Sequence, residues 1–320
     1  MLVHLRLTVP AALADAVRRL VVEHDHTTNV TLQAGAGLKP PGDLIEVDVA
    51  RESAAALVRD LQALGLDEDG GIVLTTPTGT PFRAARVLEA QAPGHPDDAV
   101  IWDSVEATAY GGATPTLSYH VFLVIAVALA AVAVITDSSV LVVGAMVVGP
   151  EFSAIAALCV GLVLRRPRLI TRSAMLLVLG FALAIGVVTV LALLARATGM
   201  VEAVDITRPR PGTGFIWHPD RWSFVVAVLA GAAGALALAI ERSTIMVGVF
   251  ISVTTVPAAG NLALGLAVGD AGEIGGSAAQ LGLNVVGMVT AGVLVLLLIR
   301  TAWPWLALRA ERIFGTAGPA

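Results

Sequence analysis

The stretch SVLVVGAMVVGPEFSAIAALCVGLVL, residues 139–164, is long and apolar enough to cross a bilayer, yet it carries Gly149, Pro150 and Glu151 near its middle. It is matched without a gap, 104 residues later, by STIMVGVFISVTTVPAAGNLALGLAV, residues 243–268. The shift places Ser139 on Ser243, Val143 on Val247, Gly144 on Gly248, Leu158 on Leu262 and Gly161 on Gly265. It also places Ser173-Ala174 on Ser277-Ala278. Apolar residues coincide often by chance, so the small and polar matches carry the argument. Around each copy the chain reads as three spans, over 121–195 and 225–299. An odd number of spans per unit turns the second unit upside down relative to the first. Inverted repeats with helix breaks at matched depth are how many transporters build a site near the bilayer midplane.

The composition agrees. The chain is 56% hydrophobic and 14% charged, with a mean hydropathy of +0.83. The charge is uneven: residues 1–116 hold 8 basic and 16 acidic side chains, net −8, and the remainder holds 12 and 9, net +3, which sum to −5. The front therefore reads as an ordinary soluble domain and the back as bilayer-embedded. No basic face clusters in the front, so nucleic acid is not an expected partner. The first thirty residues alternate and carry charge, with no apolar core of a signal peptide. The single Cys159 lies in a hydrophobic run and reads as a buried thiol.

The front, 1–76, reads as strand, helix, two strands, helix, strand. Leu2–Val9 alternates, Ala11–His24 has helical apolar spacing, and Asn29–Gln33 is a short strand. Gly35-Ala36-Gly37 and Pro40-Pro41-Gly42 are turns, Leu44–Val49 alternates, Arg51–Leu64 is a second helix and Gly71–Thr75 a last strand. This order predicts a ferredoxin-like α+β domain. Such modules bind small effectors or pair through the sheet, an analogy at the level of the fold. Glu23-His24-Asp25-His26 offers two metal ligands and no third, so a solvated helix end is the simpler reading and no metal or cofactor is expected. Residues 77–116 form a connector with short helices over Phe82–Gln91 and Asp97–Tyr110.

Six spans are expected near 118–136, 139–164, 169–196, 223–240, 243–268 and 277–302, as repeats 118–196 and 223–302 within a membrane domain, 117–302. The dense basic loop at Arg165, Arg166, Arg168 and Arg172 predicts a cytoplasmic face. Both termini, including the tail 303–320, are then cytoplasmic, in a plasma membrane. The loop 197–222 falls outside although it carries three arginines.

The candidate ion or substrate pathway is Gly149, Pro150, Glu151 and Ser153 from the first break. Thr254, Thr255, Pro257 and Asn261 come from the second break, and Gln280 and Asn284 from the last span. Pro150 removes a backbone donor and disfavours helix before it. A carboxylate at mid-span is costly, so Glu151 must face protein or water. Glu151, Ser153, Thr254, Thr255 and freed carbonyls could coordinate a cation or proton. Alternatively, proline and glycine only shape packing, and Glu151 is protonated or bonded to Asn261, Gln280 or Asn284. Asp137, Glu241 and Arg242 at span ends are solvated caps or, by their matched placement, gating residues.

Val143-Gly144-Ala145-Met146-Val147-Val148-Gly149-Pro150-Glu151-Phe152 closely resembles the signature of the DUF389 family of integral membrane proteins. Thr255-Val256-Pro257 followed by Gly265-Leu266-Ala267 is similar to that family's second proline segment. Gly42-Asp43-Leu44, Val49-Ala50-Arg51-Glu52 and Ala92-Pro93-Gly94-His95-Pro96 resemble its soluble part and connector. Many members carry an apolar residue where this chain has Glu151, and paired prolines where it has one. The resemblance implies fold and topology and no substrate.

These readings lead to a transporter or channel for a small ion or solute, regulated by the front domain. A cation or proton-coupled substrate is preferred because the central charge is negative. An anion could be drawn by half-helix N-termini if Glu151 is protonated. The alternative is a non-transporting sensor or scaffold whose front domain binds an effector. An enzyme is not expected, since no nucleophile–base pair or metal set is apparent. A homo-oligomer is expected from the Gly- and Ala-rich spans and the sheet surface.

Overall fold

The computed structural model describes residues 1–92, 99–240 and 254–302. The chain divides into two compact units, Met1–Ser104 and Val105–Thr301.

The first unit holds β1 (Leu2–Pro10), α1 (Ala14–Glu23), β2 (Thr27–Leu38), β3 (Pro41–Ala50), α2 (Arg51–Ala63), the single turn α3 (Leu66–Asp69), β4 (Gly71–Thr75) and α4 (Arg83–Gln91). The four strands form an antiparallel sheet in the order β2-β3-β1-β4. Strand alternation explains its core: Val3, Leu5, Leu7 and Val9 of β1 and Ile45, Val47 and Val49 of β3 point to one face. There they meet Val17 and Val21 of α1 and Ala54, Leu57, Val58 and Leu61 of α2. Gly65, at φ +80°, lets the chain turn out of α2.

The second strand departs from expectation. It runs over twelve residues instead of five, and the expected turn at 35–37 lies inside it. Its register shifts twice, between Thr28 and Thr31 and between Gln33 and Gly37. Gly35 takes a positive φ, and its N–H donates to the Asp43 carboxylate at 2.8 Å. A bulged edge strand buries almost nothing, so no alternation marks its extension beyond Gln33. At the end of α1 the His26 N–H donates to His24 Nδ1 at 3.2 Å. Among the described residues no group of three potential metal ligands gathers.

The second unit is helical. After α5 (Trp102–Gly112) come α6 (Leu117–Ile135), α7 (Ser139–Val148), α8 (Glu151–Leu164) and α9 (Pro167–Ala197). The short α10 (Ala203–Thr207) leads to α11 (Arg221–Ala239), α12 (Thr255–Val268) and α13 (Ala271–Thr301). Four helices, α6, α9, α11 and α13, are long and apolar enough to cross a membrane. The pair α7–α8, bent by 54° at Gly149-Pro150, makes a fifth if counted as one span. The break expected at Gly149-Pro150 is thus present, and its cause is the missing donor and restricted neighbour of proline. The first half of the expected span 243–268 lies outside the described residues, and α12 is its second half.

The 104-residue shift reproduces the helix boundaries. It carries α6 onto α11, α8 onto α12 and α9 onto α13, residue for residue at both ends. It also carries the left-handed residue that ends α8, Arg165 at φ 54°, onto Gly269 at φ 80°, which ends α12. The N-caps correspond too: Thr116 accepts from the Tyr119 N–H, and Asp220 accepts from the Ser223 N–H.

Candidate functional site

Contacts between the two copies are reciprocal. Arg196, in the last turn of α9, donates to the Ala267 carbonyl near the end of α12. Arg300, 104 residues on, donates to the Val163 carbonyl near the end of α8, at 2.7 Å. Val163 and Ala267 are themselves 104 apart, so residue i touches j of the other copy and j's counterpart touches i's. That is the contact pattern of a two-fold axis. Each arginine lies where a helix C-terminus leaves carbonyls unpaired and the dipole favours a cation.

These anchors set the direction of the short helices. A two-residue turn joins the end of α8 to the start of α9, and the end of α12 lies at the far end of α9. So α8 and α12 point opposite ways along α9. Each spans about 21 Å at 1.5 Å per residue, and together they match the roughly 46 Å of α9. Their N-termini meet head to head.

At that meeting point the Thr255 hydroxyl donates to Glu151 Oε1 at 2.8 Å. Glu151 and Thr255 are the first residues of α8 and α12 and are counterparts under the 104-residue shift. Thr255 is fully buried and Glu151 is 7% exposed. The other carboxylate oxygen, Oε2, is buried with no hydrogen-bond partner. It lies against Gly149, where a Cβ would come within 2.3 Å of it, and Val256 Cγ2 would be 2.7 Å from the same point. Thr254 Oγ1 accepts from Gln280 Nε2 at 2.9 Å and Asn284 Nδ2 at 2.8 Å, both from α13. Gln280 Oε1 is a second buried oxygen with no partner.

The sequence candidates therefore separate. Gly149, Pro150, Glu151, Thr254, Thr255, Gln280 and Asn284 gather at the junction, and Pro257 lies buried in the first turn of α12. Glu151 bonds Thr255 instead of Asn261, Gln280 or Asn284. Ser153 turns aside, its hydroxyl donating to the Pro150 carbonyl at 2.8 Å and reaching the Gly112 carbonyl of α5 at 3.4 Å. Asn261, six residues into α12, belongs to another network. Its Oδ1 accepts from Arg210 Nη1 at 2.8 Å, and its Nδ2 lies 2.6 Å from Glu273 Oε2 and 2.7 Å from Ser277 Oγ. Arg210 closes the ring with an ion pair to Glu273 at 2.5 Å, and the two side chains are 1% and 5% exposed.

Arg210 and Glu273 were not among the candidates. Arg210 sits in a loop between Pro209 and Pro211, and Glu273 precedes the expected start of the last span at 277. The helix begins at Ala271, which puts Glu273 in its first turn. The arginines that count against an outer position for this loop are partly committed to protein groups, since Arg208 also donates to the Ile135 carbonyl at 2.9 Å.

Asp137 anchors the same loop. Its Oδ1 accepts from the Thr213 hydroxyl at 2.8 Å and its Oδ2 from the Gly212 N–H at 3.2 Å. Glu241 and Arg242 lie outside the described residues. Desolvation opposes the Asp137 charge, but the Thr213 hydroxyl, the Gly212 and Thr213 amides and Arg208 outweigh it and hold its carboxyl below the ordinary range. A depressed carboxyl contributes above its unfolded pKa of about 4 and loses that contribution as pH falls through the lowered folded value. Hydrogen exchange at the Gly212 amide is therefore expected to stay slow from pH 7 to pH 5, after correction for intrinsic rates, and to be fast at all pH values in Asp137→Ala. Equal protection in the variant would remove this anchor.

Long apolar helices packed around buried polar junctions define an integral membrane protein. The family model described as "Domain of unknown function (DUF389)" matches residues 146–290, from the end of α7 into α13. Both halves of the junction lie inside the match. No curated protein and no solved structure matches the chain.

Proposed function

We propose that the chain is a six-span transporter or channel for a small ion or solute, with the Glu151–Thr255 junction at its centre. The six spans are α6, α7–α8, α9, α11, the segment ending in α12, and α13, arranged as two inverted repeats. The observation that carries the reading is the direct bond between counterpart residues at the N-termini of two oppositely directed half-helices. Helices that stop at mid-depth with a carboxylate between them serve no anchoring purpose that continuous helices would not serve better. Their natural use is a site reached from either side. The strand order and the element order of the first unit support a ferredoxin-like module, and the basic loop at Arg165, Arg166, Arg168 and Arg172 supports a cytoplasmic position for it.

A specific observation favours the second reading, a sensor or scaffold. The gap beside Phe152, Cys159, Gly231 and Met288 is apolar and too narrow for water, and the junction is buried on both sides of the bond. The two readings part in proteoliposomes screened with H⁺, Na⁺, K⁺ and Cl⁻. Transport predicts flux of at least one ion above empty vesicles, altered in Glu151→Gln while the variant elutes as the wild type does. No flux of any ion in either protein would sink the ion reading.

A further inference from the structure

We infer that the junction is a site for a small monovalent anion, that the Glu151 carboxylate is the anion it holds in this structure, and that protonation of Glu151 lets an external anion take its place. The inference rests on the transport reading above and names its substrate class.

Three observations carry it. First, neither helix N-terminus at the junction is capped. No side-chain cap bond is made at Pro150, before α8, or at Thr254, before α12. The N-termini of α6 and α11 are both capped, by Thr116 and Asp220. Two uncapped N-termini meeting head to head present backbone donors and the positive ends of two dipoles to one point, which attracts an anion. Second, the group at that point is a carboxylate whose Oε1 accepts from the Thr255 hydroxyl and whose buried Oε2 has no hydrogen-bond partner. A carboxylate meant to stay would be fully bonded. This one is held by the local positive field, the Thr255 hydroxyl and the backbone of its own first turn, with Oε2 unbonded, so it can leave. Third, among the described residues no fixed cation competes for the role. Arg210, the buried cation described in this unit, is committed to Glu273 and Asn261.

Among the described residues, the groups that face Glu151 are few. Thr255 of α12 and the backbone of its own first turn bond it, Gly149 after α7 lies against it, and Tyr119 of α6 lies within electrostatic reach. From α13 come the uncharged Gln280 and Asn284, bonded through Thr254. Proton uptake at Glu151 leaves the two dipoles unopposed, whereas the ionised carboxylate cancels them. A cation would meet two positive helix ends and one already neutralised charge. Oε2 lies close against Gly149, which fits a small anion such as chloride or formate in its place.

The test is chloride binding to the whole protein in detergent, by calorimetry in weakly buffered solution with pH recorded. Chloride is expected to bind more tightly by about tenfold per unit fall in pH, with about one proton taken up per chloride, as linkage requires. Glu151→Gln, a permanently neutral side chain, is expected to bind chloride at every pH without proton uptake. Thr255→Val keeps the carboxylate and guards against a Glu151 variant that misfolds. It is expected to retain proton-coupled binding with an altered affinity. Chloride binding without proton uptake in the wild type would overturn the exchange. Flux of Na⁺ or K⁺ in vesicles without chloride binding or flux would overturn the anion and leave the transport reading standing. No flux of any ion would overturn the anion together with the ion reading.

Discussion

Arg210→Met is expected to destabilise the membrane unit by about 3–5 kcal/mol, read as a lowered Tm of the detergent-solubilised protein. The guanidinium and the Glu273 carboxylate are 1% and 5% exposed, so neither can fall back on water when the other is removed. Methionine preserves much of the volume and removes the charge, and it leaves Glu273 buried with Asn261 as its remaining side-chain donor. The cost is that of an uncompensated buried charge, far above the worth of an exposed ion pair. Arg210→Lys is expected to recover only part of it. One ammonium cannot reproduce the planar fork that serves Glu273 through Nη2 and Asn261 through Nη1. The double variant Arg210→Met, Glu273→Leu removes both charges and is expected to regain most of the loss. A single variant within about 1 kcal/mol of wild type would place these groups in water.

The ring has no counterpart in the first copy. The positions 104 residues before Asn261, Glu273 and Ser277 are Ala157, Leu169 and Ser173. Ser173 bonds only carbonyls of its own helix, those of Leu169 and Ile170, whereas Ser277 lies within bonding distance of Asn261. The two ends of the stacked α8–α12 pair are thus alike in backbone and unlike in chemistry. The asymmetry comes from the linker between the copies, which Asp137 and Arg208 tie down and which delivers Arg210.

What could be read in advance follows from where each kind of information resides. Hydrophobic runs mark α6, α9, α11 and α13 because a bilayer demands about twenty apolar residues, and that demand is local. Gly149-Pro150 marks its own break for the same reason. Alternation marks β1 and β3, which bury one face, and finds only Asn29–Gln33 of β2, an exposed and bulged edge. Glu151 stands out because a charge in an apolar run is costly wherever it points. Its partner was less legible. Thr255 becomes special only when two copies are set head to head, a tertiary fact that no window of sequence contains. Arg210 was hidden more deeply. An arginine between prolines in a polar loop looks solvated, and only the packing of that loop between α12 and α13 makes it a buried charge.

Gly149→Ala is expected to destabilise by about 1–3 kcal/mol and to displace the Glu151 side chain, while Gly144→Ala on the same helix is expected to be neutral or to stabilise by about 0.5–1 kcal/mol. The contrast isolates the cause. Gly149 has φ −67° and ψ 127°, an extended conformation open to alanine and the one favoured before proline, so the penalty is not conformational. It is steric: the new methyl would lie 2.3 Å from Glu151 Oε2 and 2.7 Å from Val256 Cγ2. The carboxylate can swing away, but the Val256 side chain is branched and restricted in rotamer. Gly144 has nothing within 4 Å of the same position, so alanine there only improves helix propensity. Pairing Gly149→Ala with Glu151→Ala removes the nearer obstacle, and the double variant is expected to cost about 0.5–3 kcal/mol less than the sum of the singles. Strict additivity would mean that Glu151 does not rest against Gly149. The same displacement should appear in function. With Glu151 pushed from between the helix ends, chloride is expected to bind Gly149→Ala with a weaker dependence on pH than it shows in the wild type, because the competitor that protonation removes has already been moved aside.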